Sequence, residues 1–268
     1  MIKVALPGDD RFVKAASVPD PYGAIHTARW DLYGEQDGPP RFWRTPDAGG
    51  LLSLSGDTLV ASGRFLETDE LAAFCAICGA QKLRGPAKTL EAAAKQLGWP
   101  VQSRQILHAA GDLQSCAMPP GFCEPSPREV YPLLQEVFGL TEEDFAPWYC
   151  EVSHKLRHRQ GFLLGVRAEG KIAATAGIYH QNKKAALIGS VATDPAFRRK
   201  GYAAALVFSL AERAQQEGRV PFVICQNPQA LRVYEQVGFT PWEEEWLCCR
   251  NREEESVCSP GKNRILSE

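Results

Sequence analysis

Arg198-Arg199-Lys200-Gly201-Tyr202-Ala203 is the most informative stretch of this chain, because it joins an apolar run to an amphipathic segment. Residues 185–191 (AALIGSV) are a short apolar run, and Asp194-Pro195 ends it. After Tyr202 apolar residues recur at helical spacing, and Gly218 suits the position after the last turn. The sequence therefore predicts a strand, a turn and a helix.

The loop at residues 198–201 leads into the N-terminus of this predicted helix. The first N–H groups of a helix lack intrahelical partners, and the helix dipole favours an anion beside them. Gly201 lets the backbone come close to a ligand, and the small Ala203 keeps the first turn uncrowded. Arg198, Arg199 and Lys200 add positive charge. A phosphate group is the expected ligand, although a basic, glycine-containing junction is weak evidence by itself.

Residues on both sides of this loop resemble the GNAT N-acetyltransferase superfamily. The phosphate loop of that family follows the pattern Arg/Gln-x-x-Gly-x-Gly/Ala, which Arg198, Gly201 and Ala203 match. A second segment, residues 227–239 (NPQALRVYEQVGF), resembles the family pattern Asn-x-x-Ala-x-x-x-Tyr-x-x-x-Gly-Phe. The resemblance covers about residues 126–250.

The resemblance implies an α/β (α+β) fold, in which a mixed, mostly antiparallel, twisted sheet is flanked by helices. The helices and strands predicted from local sequence patterns follow one another in the order that this fold requires. Ser126 and Pro127 can begin a first helix, and residues 142–158 predict a second. Further predicted strands lie at 161–166, 172–179, 220–225 and 242–249, and the first two are joined by a hairpin turn.

The resemblance also implies an enzyme, an N-acetyltransferase that moves an acetyl group from acetyl-CoA to a primary amine by direct attack in a ternary complex. Acetyl-CoA is the acyl-donor substrate, and no metal is expected. The diphosphate would lie on Arg198 and on backbone N–H groups of residues 199–203 (Arg199, Lys200, Gly201, Tyr202 and Ala203). The pantetheine arm would pair beside Val191 and Thr193 and contact Asn227. Tyr234 would be the general acid that protonates the leaving thiolate.

The sequence does not identify the general base. Many family members carry a glutamate on the strand before the loop, where residues 185–190 (AALIGS) have no carboxylate. His180 is a weak candidate, because an imidazole titrates near pH 6.5, and a solvated turn histidine is its structural alternative. Glu151 is weaker still, and His154 with His158 lacks the third ligand of a metal site.

Two functions of different classes fit these residues. The first is the transferase, which the phenol of Tyr234 favours because a packed core does not need its proton; a half-buried core tyrosine is the structural alternative. The second is a CoA-binding or structural GNAT-like module that has lost transfer activity, which the missing carboxylate favours.

Composition limits the partners. The net charge of −2 favours neither nucleic acid nor an anionic membrane. No segment has the length of a membrane span or the pattern of a signal peptide, so we expect a cytoplasmic protein. The nine cysteines lack paired metal-binding spacing and are expected to be reduced thiols. The expected partner is a small-molecule or peptide amine, with the chain a monomer or homodimer.

The 268 residues are enough for about two domains. We predict an N-terminal α/β domain without a recognisable cofactor motif at 1–118, a Pro-rich linker at 119–127, the GNAT-like domain at 128–250 and a mobile tail at 251–268. In the first domain, residues 51–62 predict a hairpin, 69–78 and 89–97 predict helices, and 105–109 predict a strand. If this half is a degenerate GNAT-like repeat, it has lost the phosphate loop.

Overall fold

The computed structural model describes residues 1–36, 39, 41–65 and 69–250. The tail predicted at 251–268 lies outside the described residues. The strands are β1 (Lys3–Val4), β2 (Phe42–Arg44), β3 (Gly50–Ser55), β4 (Thr58–Gly63), β5 (Lys82–Pro86), β6 (Val101–His108), β7 (Phe122–Cys123), β8 (Phe162–Ala168), β9 (Lys171–Gln181), β10 (Ala185–Thr193), β11 (Val220–Cys225) and β12 (Thr240–Cys249). The α-helices are α1 (Asp10–Ala16), α2 (Pro21–Tyr33), α3 (Glu70–Cys78), α4 (Ala87–Leu97), α5 (Pro127–Phe138), α6 (Glu142–Arg157), α7 (Tyr202–Gln216) and α8 (Pro228–Val237).

All of these strands belong to one sheet with the order β1-β2-β3-β4-β5-β12-β6-β11-β10-β9-β8-β7. Two pairs, β4–β5 and β10–β11, are parallel, and the other described pairs are antiparallel. This mixed, mostly antiparallel sheet with flanking helices confirms the predicted fold class.

The two halves of the chain have the same succession of elements. Each begins with a short strand and two helices, continues with three strands, and ends with helix, strand, helix and strand. The sheet order is symmetric about the boundary between β12 and β6. The N-terminal half therefore repeats the architecture of the C-terminal half, and we call the two halves the N-terminal repeat and the C-terminal repeat.

The last strand of each repeat pairs with the other repeat. Strand β6 lies between β11 and β12, and β12 lies between β5 and β6. The stretch predicted as a linker contains the edge strand β7, which pairs with β8. The sheet is therefore continuous across the predicted linker, and the domain boundaries stay a prediction.

Helices cover both faces of the C-terminal half of the sheet. Residues of α7 such as Leu206 and Leu210 pack with Ala176 of β9 on one face. On the other face, Ile25 of α2 packs with Leu187 of β10, so a helix of the N-terminal repeat lies on the sheet of the C-terminal repeat. Among the described residues, no helix combines the length and apolar character that a bilayer crossing requires.

Helix ends in the C-terminal repeat follow from local residues. Ser126 and Glu129 form a capping box with Pro127 at the first helical position of α5. Asn227 accepts a hydrogen bond from the Gln229 N–H at 2.8 Å and begins α8. These caps confirm the sequence predictions. By contrast, no local pattern in the sequence predicted β1, β2, β5, α1 or α2.

Candidate active site

The candidate active site begins where β10 and β11 separate. The two parallel strands pair from Ala185 with Val220 to Ile188 with Val223, and within the described chain their pairing ends there. Strand β10 then bends at a bulge against β9, between Gly189 and Ala192. Beyond these residues the carboxyl ends of β10 and β11 no longer pair with each other within the described chain, and we call the space between them the β10–β11 cleft.

The outer end of β10 presents unpaired backbone to this cleft. The Asp194 N–H donates to the Ala173 carbonyl, so this N–H is directed towards β9. Successive N–H groups of a strand alternate in direction, and those of Val191 and Thr193 are therefore directed away from β9 into the cleft. This is the arrangement that an extended ligand can use like an added strand.

Left-handed backbone shapes the loop between β10 and α7. Arg199 has φ +62° and Gly201, the N-cap residue, has φ +78°. No side chain caps α7, so its first N–H groups are available to an anion. Alternating right- and left-handed residues of this kind make an anion-binding concavity of N–H groups.

The basic side chains of the loop are exposed, but two of them contact the protein. The Arg198 Nε donates to the Thr193 carbonyl at 3.3 Å, and Lys200 Nζ lies 4.7 Å from the ring centroid of Phe197. Tyr202 and Ala203 are half-buried in the first turn of α7. Since the backbone supplies the concavity, the side chains contribute mainly charge around it.

Tyr234 lies on α8, whose first residues follow Asn227 at the end of β11. Its ring is 5% exposed and packs in the cluster that contains Val237 and Phe239. Its hydroxyl makes no hydrogen bond with any described residue. Burial, with a smaller contribution from the Cys225 thiol, raises the pKa of Tyr234. The phenol therefore keeps its proton at neutral pH, as a general acid requires.

His180 is enclosed on the other face of the sheet. It pairs with Leu187, which faces α2, whereas Tyr234 packs on the face covered by α7. The imidazole is 3% exposed, and its Nε2 lies 3.9 Å from Glu151 Oε1. Burial, followed by the charge of Lys155, lowers the pKa of His180 well below its usual value. The structure therefore does not bring His180 and Tyr234 together on one face.

The weaker base candidates lie on α6. Glu151 forms an ion pair with the buried Lys155, so its carboxylate is already engaged. The rings of His154 and His158 stack with centroids 4.3 Å apart. Burial lowers the pKa of His154, and the neighbouring His158 lowers it further.

A polar pair at the bulge of β10 was not predicted from the sequence. Ser190 has φ +52°, and its side chain interacts with the buried Tyr179 hydroxyl. The signal for a bulge was the Gly189-Ser190 pair inside an apolar run, since small residues often mark such irregularities. The strained Ser190 backbone helps to turn the end of β10 away from β11.

Comparison with known proteins identifies the C-terminal repeat. The sequence profile of the acetyltransferase (GNAT) family matches residues 127–239. This segment belongs to the GNAT family. The matched residues include the left-handed loop and Tyr234, which confirms the resemblance inferred from the sequence. A UPF0039 protein of Schizosaccharomyces pombe is 28% identical over 121 residues, which cover 44% of this chain and 78% of that protein.

Solved GNAT structures extend the likeness to the N-terminal repeat. A GCN5-related N-acetyltransferase from Sphaerobacter thermophilus has a TM-score of 0.58 at 17% identity, and the match covers 92% of this chain and 94% of that chain. A GNAT-family acetyltransferase from Colwellia psychrerythraea has a TM-score of 0.58 at 14% identity, with coverages of 93% and 100%. A tandem GNAT protein from the clavulanic acid biosynthesis pathway has a TM-score of 0.58 at 13% identity, and the match covers 95% of this chain and 99% of that protein. At these identities the likeness is one of fold.

Proposed function

We propose that this protein is an N-acetyltransferase that uses acetyl-CoA as its acyl donor and a primary amine as its acceptor. The observation that carries the proposal is the uncapped N-terminus of α7, which follows the left-handed residues Arg199 and Gly201 at the mouth of the β10–β11 cleft. Family membership supports acyl transfer in general, and the donor, acceptor class and residue roles below are our proposal.

The shape and chemistry of the site fit such a donor. The N–H groups of residues 199–203 would bind the diphosphate, with Arg198 contributing charge. The N–H groups of Val191 and Thr193 would hold the pantetheine amides as an added strand, and Asn227 would contact the same arm. The thioester would then lie in the cleft near Tyr234.

The reaction needs two proton movements. The amine nitrogen attacks the thioester carbonyl carbon, a C–N bond forms, and the C–S bond breaks. The departing thiolate takes the proton of Tyr234, whose hydroxyl has no other partner among the described residues. The nitrogen loses a proton to water in the cleft. Holding both reactants in one cleft supplies much of the rate enhancement.

His180 stays a predicted base, but its buried position means that it could act only through an intervening water molecule. Its imidazole is neutral, so it can accept a proton, but a lowered pKa makes it a weak acceptor. Because it is enclosed beneath α2, a water molecule would have to connect it to the amine. The Tyr234 proton donor does not depend on this residue.

The second candidate function is a CoA-binding module without transferase activity. Two observations favour it: β10 carries no carboxylate, and the one histidine beside it is enclosed. Under this alternative the loop and the cleft would still bind acetyl-CoA.

Two measurements on the full chain distinguish the candidates. Calorimetric titration with acetyl-CoA tests binding, and release of free thiol across a library of primary amines tests transfer. We expect binding and amine-dependent thiol release. Absence of binding would contradict both candidates, whereas binding without thiol release for any amine would favour the second. Mass spectrometry of a metabolite extract incubated with labelled acetyl-CoA would then identify the acceptor.

A further inference from the structure

The paired strands β9 and β10 contain two bulges, and the first lies on β9. Leu187 of β10 pairs with His180 of β9. The next residue of β10, Ile188, pairs with Ile178. Tyr179 is therefore an extra residue on β9, with no residue of β10 opposite it in the register.

The second bulge lies on β10, closer to the β10–β11 cleft. Gly189 pairs with Gly177, but the next pair in the register is Ala192 with Thr175. Residues 190–191 of β10 therefore lie opposite a single residue of β9. Each strand has one extra residue, so the second bulge restores the register that the first one shifted.

The side chains of the two bulges contact each other. The Tyr179 side chain interacts through its hydroxyl with the side chain of Ser190, and both residues are buried. The extra residue of β9 thus contacts the residue at which the bulge of β10 begins. The conformation of the second bulge therefore depends on a side chain that the first bulge supplies.

A glycine between the two bulges makes this contact possible. A Cβ added to Gly177 would lie 2.6 Å from the hydroxyl oxygen of Tyr179, which is too close for any side chain. The ring of Tyr179 therefore lies directly across Gly177 and extends towards the neighbouring strand. On its other side the ring packs in one cluster with Trp148 and Val152 of α6, which fix its position.

The backbone of Ser190 needs such support. Its φ of +52° is uncommon for a residue with a side chain, and such a conformation persists only where the surrounding structure determines it. The conformation of Ser190 sets the direction of the residues that follow it, which include Val191 and Thr193. These are the two residues whose N–H groups are directed into the β10–β11 cleft.

We propose that Tyr179 is a positioning residue for the acyl donor. Through Ser190 it holds the outer end of β10 in the orientation in which the N–H groups of Val191 and Thr193 receive the pantetheine arm. Tyr179 acts through the strand and not by contact with the donor. This inference rests on the proposed function, because it assigns a role in binding acetyl-CoA.

Binding of two ligands to the full chain tests the proposal. Acetyl-CoA contains the pantetheine arm, whereas 3′-phosphoadenosine 5′-diphosphate contains only the nucleotide and diphosphate part. By calorimetry, Tyr179→Phe should weaken acetyl-CoA binding about fivefold, which is the effect of losing about one hydrogen bond. The affinity for the nucleotide probe should change less than about twofold, because that probe lacks the arm.

A second variant and a control locate the effect. Ser190→Ala should weaken acetyl-CoA binding as much as Tyr179→Phe does, and the double variant should lose no more than either single variant, because each removes the same interaction. Tyr131→Phe is the matched control. Tyr131 is buried in the same cluster, and its hydroxyl donates to the Thr141 carbonyl. This control should bind both ligands like the parent protein.

Hydrogen exchange of the ligand-free protein tests the position of the strand without acetyl-CoA. The Asp194 N–H donates to the Ala173 carbonyl at 2.9 Å and lies beyond both bulges. In Tyr179→Phe this amide should exchange about fivefold faster than in the parent, because the strand end opens more often. The amides of residues 185–187, which precede both bulges, should keep the parent rate.

The outcomes separate this proposal from the proposed function. If the parent binds acetyl-CoA, equal affinity of Tyr179→Phe and the parent would overturn the positioning role. An equal loss of affinity for both ligands would also overturn it, since that indicates a general structural defect. Absence of acetyl-CoA binding to the parent would overturn the proposed function and the role in donor binding. Faster exchange at Asp194 would then still show that Tyr179 holds the strand end, and an unchanged rate would overturn that part too.

Discussion

Glu245 on β12 lies opposite Arg104 on β6, and its Oε2 is 2.6 Å from Nη2 of that arginine. Its other oxygen accepts a hydrogen bond from Arg84 Nε on β5 at 2.7 Å. All three side chains are buried. Because β6 and β12 are the strands that the two repeats exchange, this ion cluster lies where the repeats meet.

Replacing the carboxylate should therefore be costly. Glu245→Gln leaves two buried guanidinium groups without a compensating charge, and we expect a loss of about 3–5 kcal/mol in the free energy of unfolding. Glu244→Gln, at the exposed neighbouring position, is the control and should cost less than about 1 kcal/mol. Urea unfolding followed by tryptophan fluorescence measures both. Equal losses would show that the buried cluster contributes no more than a surface carboxylate.

The exchanged strands also predict whether each repeat can fold as a separate fragment. A fragment of residues 1–118 would carry β6 without its partner strands β11 and β12, and a fragment of 119–268 would carry β12 without β5 and β6. Both would expose long strand edges, so we expect each to be unfolded or aggregated alone and to assemble when coexpressed. Circular dichroism and size-exclusion chromatography test this. A cooperatively folded, monomeric fragment would contradict it.

Tyr234→Phe tests the proposed proton donor. Removing the hydroxyl should lower kcat about 100-fold, because general acid catalysis contributes that order of rate. The dissociation constant of acetyl-CoA should change less than about twofold, since the ring packing remains. Tyr131→Phe is the matched control, because the Tyr131 hydroxyl donates to the Thr141 carbonyl away from the cleft. Unchanged turnover of Tyr234→Phe would remove Tyr234 from this role.

Gly201→Ala tests the phosphate loop. Gly201 and Gly79 have φ of +78° and +74°, and in both cases an added Cβ meets no atom within 4 Å. Alanine at either position should therefore cost about 1 kcal/mol of backbone strain. Only Gly201→Ala should also weaken acetyl-CoA binding, by about tenfold, because it shifts the N–H groups that receive the diphosphate. Equal acetyl-CoA affinity in the two variants would argue against the loop as the binding site.

Two buried histidines predict acid sensitivity. Burial lowers the pKa of His26 to about 3, and burial together with Lys155 lowers the pKa of His180. Unfolding restores both to about 6.5, so below that pH the unfolded chain binds protons that the folded chain does not. Above about pH 6.5 these two histidines therefore do not reduce the free energy of unfolding. Below that pH the free energy of unfolding falls by about 1.4 kcal/mol per pH unit for each histidine.

The His26→Gln variant isolates one of these contributions. Glutamine can still bond to Ser53 or Ser62, the two present partners of His26, but it does not titrate. The slope of unfolding free energy against pH between about 6 and 5 should decrease by about 1.4 kcal/mol per pH unit. Chemical denaturation at a series of pH values gives that slope. A slope equal to that of the parent protein would show that His26 does not contribute.

Much of the C-terminal repeat could be predicted from its sequence, because its signals are local. Ser126, Pro127, Asn227 and Gly238 set helix ends through caps that need only a few neighbouring residues. Glu169 and Gly170 have φ of +50° and +78° in the predicted hairpin turn between β8 and β9. The loop pattern around Gly201 likewise lies within six residues of sequence.

The N-terminal repeat was harder to predict, because its elements lack such local signals. Helix α2 is buried along most of its length and shows little amphipathic pattern, since it packs between the sheet and α1. Strand β5 contains Arg84, Gly85 and Pro86, which do not favour a strand in isolation. Gly85 is tolerated because Ala61 of β4 passes so close that a side chain would not fit.

The environment of His180 at the candidate site likewise could not be predicted from local sequence. Its place at the end of a strand suggested an accessible imidazole, but α2 and α6 enclose it. The burial of Tyr22 had no signal in the sequence either, because its ring packs in a cluster with Val60 of β4, Ile106 of β6 and Leu187 of β10. Burial and pKa depend on residues distant in sequence, so local patterns cannot reveal them.

The sequence alone specified the loop, the helix caps and the succession of helices and strands along the C-terminal repeat, because each rests on hydrogen bonds, backbone conformations and side-chain patterns among neighbouring residues. The exchange of β6 and β12 and the enclosure of His180 depend on the tertiary structure. They arise from contacts such as that between Arg84 and Glu245, which are 161 residues apart. Pairing at that distance leaves no periodic trace in either segment, and only the assembled sheet brings the two side chains into one buried cluster.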